Sequence, residues 1–310
     1  MKSFHELRIV FFGTPDFAVA TLDALVQAGL NVVAVVTMPD KPAGRGKHIQ
    51  FSPVKEYGLA HNIPVLQPEK MKNPTFVEEL RSYHADLQVV VAFRMMPEVV
   101  WNMPPMGTLN VHGSLLPQYR GAAPINRAIM NGETETGVTT FKLKHEIDTG
   151  DIMLRHKVAI LPEDNAGTLH DKLMVAGAQL MVETIQKVVS GEIVEIPQDN
   201  IPLSELKFAP KIFKEDTHIN WNSPVKEILN FVRGLSPYPA AYSHIADKQI
   251  KVYTCHIEEL ANAPAPGTME TDGSNLLRFS GADGWVYIDE IQIEGKKRMD
   301  IGSFLRGFRA

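Results

Sequence analysis

Apolar runs alternate with amphipathic stretches along most of the chain. Residues 8–12 (Arg8-Ile9-Val10-Phe11-Phe12) are one apolar run, and Asn31–Thr37 is a second, rich in β-branched residues; both predict buried strands. Between them Leu22, Leu25 and Val26 recur at helical spacing over 17–28, and Gly29 is a helix stop. Strand, helix and strand within about 30 residues make a βαβ unit, which implies a parallel sheet with helices on its faces. The alternation continues as a helix over 54–61, a short strand at Val65, a helix over 75–83 and strands over 86–92 and 108–112. Next come a helix over 124–131, strands over 136–143 and 152–160, and a long amphipathic helix over 167–189. The pattern predicts an α/β fold on a parallel sheet.

Residues 191–206 carry Pro197, Pro202 and mixed polarity, which suits a linker. From Phe208 the texture changes. Helical periodicity survives at 224–234, and then short β-prone pieces follow at 240–246, 249–256, 266–270, 275–280 and 284–293. Asp272-Gly273, Asp283-Gly284 and Glu294-Gly295 divide them. That rhythm predicts a small C-terminal antiparallel β-barrel, OB-like in class. The expected division is therefore 1–190, a linker over 191–207, and 208–310.

Composition narrows the class. The chain has 310 residues, 44% hydrophobic and 22% charged, enough apolar material for two cores. The single cysteine, Cys255, excludes a disulfide framework, and with no signal-like start the chain reads as cytoplasmic. No apolar run reaches the roughly 20 residues of a membrane span. Of 31 basic and 36 acidic residues, 13 and 13 fall in 207–310, leaving 18 and 23 for the rest. The C-terminal part is thus the less acidic one, which permits a polyanionic partner there.

Candidate chemistry concentrates at 107–124. Thr108, Asn110 and His112 alternate with Leu109 and Val111, so the amide and the imidazole share one face of a strand. Gly113, Pro117 and Gly121 then break regular structure. Asn and His at a strand end are often turn formers or capped polar groups. They can also hold a carbonyl oxygen and manage a proton, which acyl transfer to an amine requires. Downstream, Asp148-Thr149-Gly150-Asp151 is a compact turn. His145, Asp148, Asp151 and His156 match no metal-ligand spacing, so no metal is expected.

Two nucleotide motifs fail. After Gly13 the further glycines of a dinucleotide fingerprint are missing, and His48 stands where a phosphate loop needs Ser or Thr. Residues 38–53 nonetheless form a loop of prolines, glycines and cations, with Lys41, Arg45 and Lys47. It is either a solvated surface loop or a basic hand for the phosphates of a partner, and its length favours the second reading. After the strand ending at Ala92, Phe93, Met95 and Met96 could wall a pocket for a flat apolar ligand, although any one of them taken singly reads as an ordinary core residue.

Together these stretches resemble the folate-dependent formyltransferases. The broad part of the likeness is Asn110-Val111-His112-Gly113-Ser114-Leu115-Leu116-Pro117, Tyr119-Arg120-Gly121, Ala123-Pro124 and Asp148-Thr149-Gly150-Asp151. A narrower part is Gly13-Thr14-Pro15-Asp16-Phe17, Pro39–Lys47, Ser52-Pro53-Val54-Lys55, Ala209-Pro210-Lys211-Ile212 and Ile219-Asn220-Trp221. It is similar to the branch of that family that acts on methionyl initiator tRNA, over essentially the full length. The resemblance implies a doubly wound, mostly parallel, Rossmann-like sheet domain joined by a linker to a small OB-like β-barrel, with 10-formyltetrahydrofolate as formyl donor and the α-amino group of methionine on initiator tRNA as acceptor. It implies Asn110, His112 and Asp148 as catalytic, Ser114, Leu115, Leu116, Pro117 and Phe93 on the folate, and Lys41, Arg45, Lys47 and Lys211 on the tRNA, with Lys55, Lys207 and Lys214 nearby. A monomer is expected. The chain departs from the family at Phe93-Arg94, where Tyr-Gly is usual and the loop is one residue shorter. The rival acceptors are an amino-sugar nucleotide and glycinamide ribonucleotide, and the rival from another class is a non-catalytic tRNA-binding module built on the barrel; the Pro39–Lys47 loop speaks against the first two, and intact Asn110, His112 and Asp148 against the third.

Overall fold

In chain order the first elements are β1 (Arg8–Gly13), α1 (Asp16–Gln27), β2 (Asn31–Val36), β3 (Lys41–Ala43), β4 (His48–Gln50), α2 (Pro53–Ala60), β5 (Val65–Leu66), α3 (Pro74–Ser82), β6 (Leu87–Val91), α4 (Glu98–Trp101) and β7 (Thr108–His112). Then follow β8 (Arg120–Gly121), α5 (Pro124–Met130), β9 (Glu135–Lys142), β10 (Ile152–Ala159), α6 (Ala166–Ser190) and β11 (Phe208–Ala209). The last are α7 (Val225–Leu235), β12 (Ala241–Ile245), β13 (Lys248–Glu259), β14 (Met269–Thr271), β15 (Leu277–Ser280), β16 (Gly284–Ile293), β17 (Met299–Asp300) and α8 (Ile301–Gly307). This is a computed structural model, and it describes residues 3–43, 48–198 and 202–307. Two compact units emerge: 1–120, 137–158 and 171–208 form the first, and 121–136, 159–170 and 209–310 the second.

The first unit is built on a seven-stranded sheet in the order β10-β9-β7-β6-β1-β2-β5. β1 pairs in parallel with β2 and β6, β2 with β5, and β6 with β7, while β9 runs antiparallel to β7. The apolar run of β1 is buried because both faces of a parallel sheet are covered. Phe11 and Phe12 are fully buried, each contributing on the order of 1.5–3 kcal/mol by transfer from water. One face packs Val10, Ala34 and Val90 against Phe76, Val77 and Leu80 of α3. Local chemistry starts the helices where the pattern predicts. The Asn73 side chain accepts from Thr75 N–H at the start of α3, and that of Ser52 from Lys55 N–H at the start of α2, each with proline next.

Strand order reverses between β1 and β6. Their carboxyl ends lie side by side, Gly13 opposite Val91 and Val90 opposite Asn110. The segments leaving β1, β6 and β7 therefore share one edge, where open α/β sheets bind ligands.

The second unit is a six-stranded antiparallel sheet, β12-β13-β16-β15-β14 with β17 on β16. Val225, Ile228, Val232 and Leu235 of α7 pack on Ile250, Val252, Val286, Ile288 and Ile291 of the sheet. The five β-prone pieces read from the sequence are strands here, and the expected α/β fold followed by a smaller antiparallel β domain is the fold found. Several short elements were not legible, the two-residue strands β8, β11 and β17 among them. The 38–53 stretch holds a hairpin, Lys41 opposite Gln50 and Ala43 opposite His48. Three-residue strands are too short for alternation to register, and α4 and α8 are too short for helical periodicity. Among the described residues no helix is long and apolar enough to cross a membrane.

Candidate active site

β7 carries Asn110 and His112 on the same face, one register step apart. His112 is nearly buried, and its Nε2 donates to the Tyr119 carbonyl at 2.8 Å. A carbonyl only accepts, so this contact assigns the proton to Nε2. The other ring nitrogen, Nδ1, lies 3.7 Å from Asp148 Oδ2, with the two side chains 8% and 12% exposed. That is ion-pair range rather than hydrogen-bond length. To donate from Nδ1 as well, the ring must be imidazolium, and Asp148 is the counter-ion for it. Asn110 is half-buried, and its side-chain amide has no hydrogen-bond partner among the described residues. An amide left open beside such a pair can donate to a third molecule.

Asp148 reaches the imidazole because its turn is tightly built. Its φ is +56°, a left-handed conformation that Asp tolerates better than most residues. The Thr149 hydroxyl donates to the Glu146 carbonyl at 3.0 Å. Gly150 passes so close to β9 that a Cβ there would sit 1.6 Å from the Lys142 carbonyl oxygen. Gln198, 5% exposed, closes the turn from outside, its Nε2 donating to the carbonyls of Asp148 at 3.0 Å and Gly150 at 2.6 Å.

The segment after His112 is folded on itself. Ser114 is fully buried, and its hydroxyl donates to the Gln118 carbonyl at 2.6 Å. The Thr139 hydroxyl donates to the Ser114 carbonyl and accepts from Leu116 N–H. Leu116 is buried against Phe141 and Ile152, Pro117 is buried and Leu115 is half-buried. Phe93 packs edge-on against Phe12, ring centroids 5.8 Å apart. The Arg94 guanidinium donates to the carbonyls of Pro68 and Glu69, and its burial holds its pKa below the usual arginine range.

Of the basic residues, Lys41 is exposed in the first unit. Lys211 is exposed in the second, its Nζ 5.3 Å from the centre of the exposed Phe213 ring. Arg45 and Lys47 lie outside the described residues. Lys55 is not available: its Nζ donates to Asp40 Oδ2 at 2.5 Å, and Gln67 donates to the other oxygen. Sequence reasoning missed Tyr119, Arg120 and Gln198. The first two stood in a motif with no role attached, and a lone glutamine in a polar stretch gives no signal.

The fold and this site define a formyl transferase: the chain belongs to the formyl transferase family, whose N-terminal model matches residues 7–185 and whose C-terminal domain model matches 211–309. Among its relatives is the methionyl-tRNA formyltransferase of Bacteroides fragilis, 54% identical over 310 residues, covering 98% of this chain and 96% of that protein. Those of Bacteroides thetaiotaomicron, at 53%, and Flavobacterium johnsoniae, at 46%, likewise cover 98% of this chain and 97% and 96% of their own lengths. Two solved structures share the fold at low identity. HypX from Aquifex aeolicus in complex with tetrahydrofolic acid is 19% identical with a TM-score of 0.65, covering 97% of this chain and 48% of that one. The sugar 3N-formyl transferase WlaRD, with dTDP and 5-N-formyl-THF, is 20% identical with a TM-score of 0.67, covering 94% and 99%.

Proposed function

We propose that this protein transfers the formyl group of 10-formyltetrahydrofolate to the α-amino group of methionyl initiator tRNA, giving N-formylmethionyl-tRNA for translation initiation. The observation that carries the reading is the meeting of His112 and Asp148 beside the open amide of Asn110. It is supported by full-length relatives that carry the name methionyl-tRNA formyltransferase. The donor is supported by the folate compounds bound to structures of the same fold.

The amine attacks as a neutral group. As its nitrogen bonds to the formyl carbon, the carbonyl oxygen gains negative charge. The Asn110 amide and the Nδ1–H of a His112 imidazolium donate to that oxygen. When the bond from the formyl carbon to N10 of the folate breaks, N10 takes a proton and the amine nitrogen gives one up. Asp148, with water, passes that proton from the amine towards N10, and as the carboxylate, before and after the relay, it balances the charge of His112. Preorganised donors of this kind act where charge develops and need no reorganisation as it appears.

The folate lies along the backbone of Ser114–Pro117, with Leu115 and Phe93 beside the pterin, because the Ser114 hydroxyl and the Leu116 side chain are engaged inside the protein. Lys41, Arg45 and Lys47 meet acceptor-stem phosphates, and Lys211 with Phe213 supports the outer stem. Residues 1–190 serve catalysis and 208–310 the tRNA, in a monomer working in the cytoplasm without a metal. The test is labelled formyl transfer to charged initiator tRNA, with an amino-sugar nucleotide and charged elongator tRNA as controls. Label on the initiator alone is expected; label on the sugar alone overturns the acceptor.

A further inference from the structure

Asp148 has no strand or helix of its own to hold it. It sits at a left-handed position in a turn, 38 residues from Asn110 on β7. A displacement of about 1 Å at such a group can cost on the order of 10²-fold in rate. Its placement therefore needs a device, and the structure contains one that closes on itself. His112 Nε2 is tied to the Tyr119 carbonyl at 2.8 Å. The next residue, Arg120, donates from Nε at 3.2 Å and Nη2 at 2.9 Å to Gln198 Oε1. The two hydrogens of Gln198 Nε2 bridge the carbonyls of Asp148 and Gly150. Asp148 then faces His112 at 3.7 Å. One dipeptide, Tyr119-Arg120, thus grips both members of the pair, the imidazole through its backbone and the carboxylate's turn through Gln198.

Gln198 is itself fixed. Two residues earlier, Ile196 exchanges two backbone hydrogen bonds with Ile152 on β10, both at 2.9 Å. Its side chain is buried, and its amide oxygen and nitrogen each have two contacts of the correct polarity. A buried amide with matched partners on both ends is rigid, and a partly matched substitute is costly.

We infer that Gln198, held by Arg120, is the positioning residue that sets Asp148 against His112 for formyl transfer. The inference rests on the proposed function. Gln198 touches no reacting atom and acts through Asp148.

Two variants and a cycle test it. Gln198→Leu keeps the shape and removes both ends of the bridge. Gln198→Glu keeps an acceptor for Arg120 but turns an oxygen towards the two carbonyls. Both are expected to lower kcat for formyl transfer by roughly 10–100-fold, with KM for folate and tRNA within about twofold of the parent. In the Asp148→Asn background, adding Gln198→Glu is expected to cost no more than about twofold, because the group it positions is already lost. A merely structural glutamine would give the same fold-loss in both backgrounds. If Gln198→Leu fails to fold, Gln198→Glu and its cycle carry the test. A parental kcat in Gln198→Glu, or an additive cycle, overturns the inference while the parent's activity keeps the functional reading intact. A parent chain that transfers no formyl group to charged initiator tRNA overturns the reading and the inference with it.

Discussion

Asn110 presents an amide with no partner among the described residues, so its removal tests the chemistry with little structural confusion. Asn110→Ala is expected to lower turnover by about 10²–10³-fold, the usual loss for one oxyanion donor, with tRNA affinity within twofold of the parent. Turnover and binding measured on the same preparation decide it. Gly150 is the opposite case. Its missing Cβ is what lets the Asp148 turn lie on β9, since a Cβ there would sit 1.6 Å from the Lys142 carbonyl oxygen. Gly150→Ala must move backbone, so it is expected to abolish transfer and lower the melting temperature together. An active, parental-melting Gly150→Ala variant would contradict the turn geometry. At this scale strand alternation put Asn110 and His112 on one face, a motif alone pointed at Asp148, and the structure brings His112 and Asp148 within 3.7 Å of each other. Ser114 and Leu116 stood in that motif too, yet their side chains turn inward to Gln118 and to the Phe141 cluster. A motif records which residues are needed and not which way they face.

Among the elements, β7 gains its precision from what lies beneath and beside it. Phe141 on β9 packs fully buried with Leu116 and Ile152 under the segment that follows His112. Phe141→Ala is expected to destabilise the first unit by about 3–5 kcal/mol, the range for an aromatic truncated in a core, read by denaturant unfolding. The 41–50 hairpin is anchored at its base by Asp40, whose carboxyl is held below the usual carboxylate range by the Lys55 ammonium first and by Gln67 second. A lowered folded pKa adds stability that is complete above the unfolded value near 4 and is lost as pH falls through the folded one. The stability difference between the parent and Lys55→Met is therefore expected to be constant above about pH 4 and to shrink below it. A difference that grows on acidification would contradict the ion pair. α6 and β16 were legible because many residues repeat one period, and β1 because its apolar run is unbroken. The hairpin, α4 and α8 were not, because three to seven residues cannot establish one.

For the whole molecule, charge decides how a polyanion is met. The chain is net −5, with that charge carried by residues before 207, so attraction to tRNA must be local. Lys211, exposed beside Phe213, is a local cation with an aromatic face, which suits phosphate and base stacking together. Lys211→Ala is expected to raise the apparent KM for charged tRNA and lower the slope of log affinity against log salt by about 1. The domain order was legible from the change in apolar rhythm after Phe208. The grip of Gln198 on Asp148 was not, since it joins residues 50 positions apart through side-chain and carbonyl atoms that follow no period. The proposed chemistry requires an amide, an imidazole and a carboxylate to act together on a formyl group. It is tested most directly by single-turnover transfer from saturating 10-formyltetrahydrofolate to charged initiator tRNA, comparing the parent with Asp148→Asn. The expected result is a fall of at least about 10²-fold in the Asp148→Asn rate with folate affinity held. Transfer by Asp148→Asn at the parental rate would contradict the account.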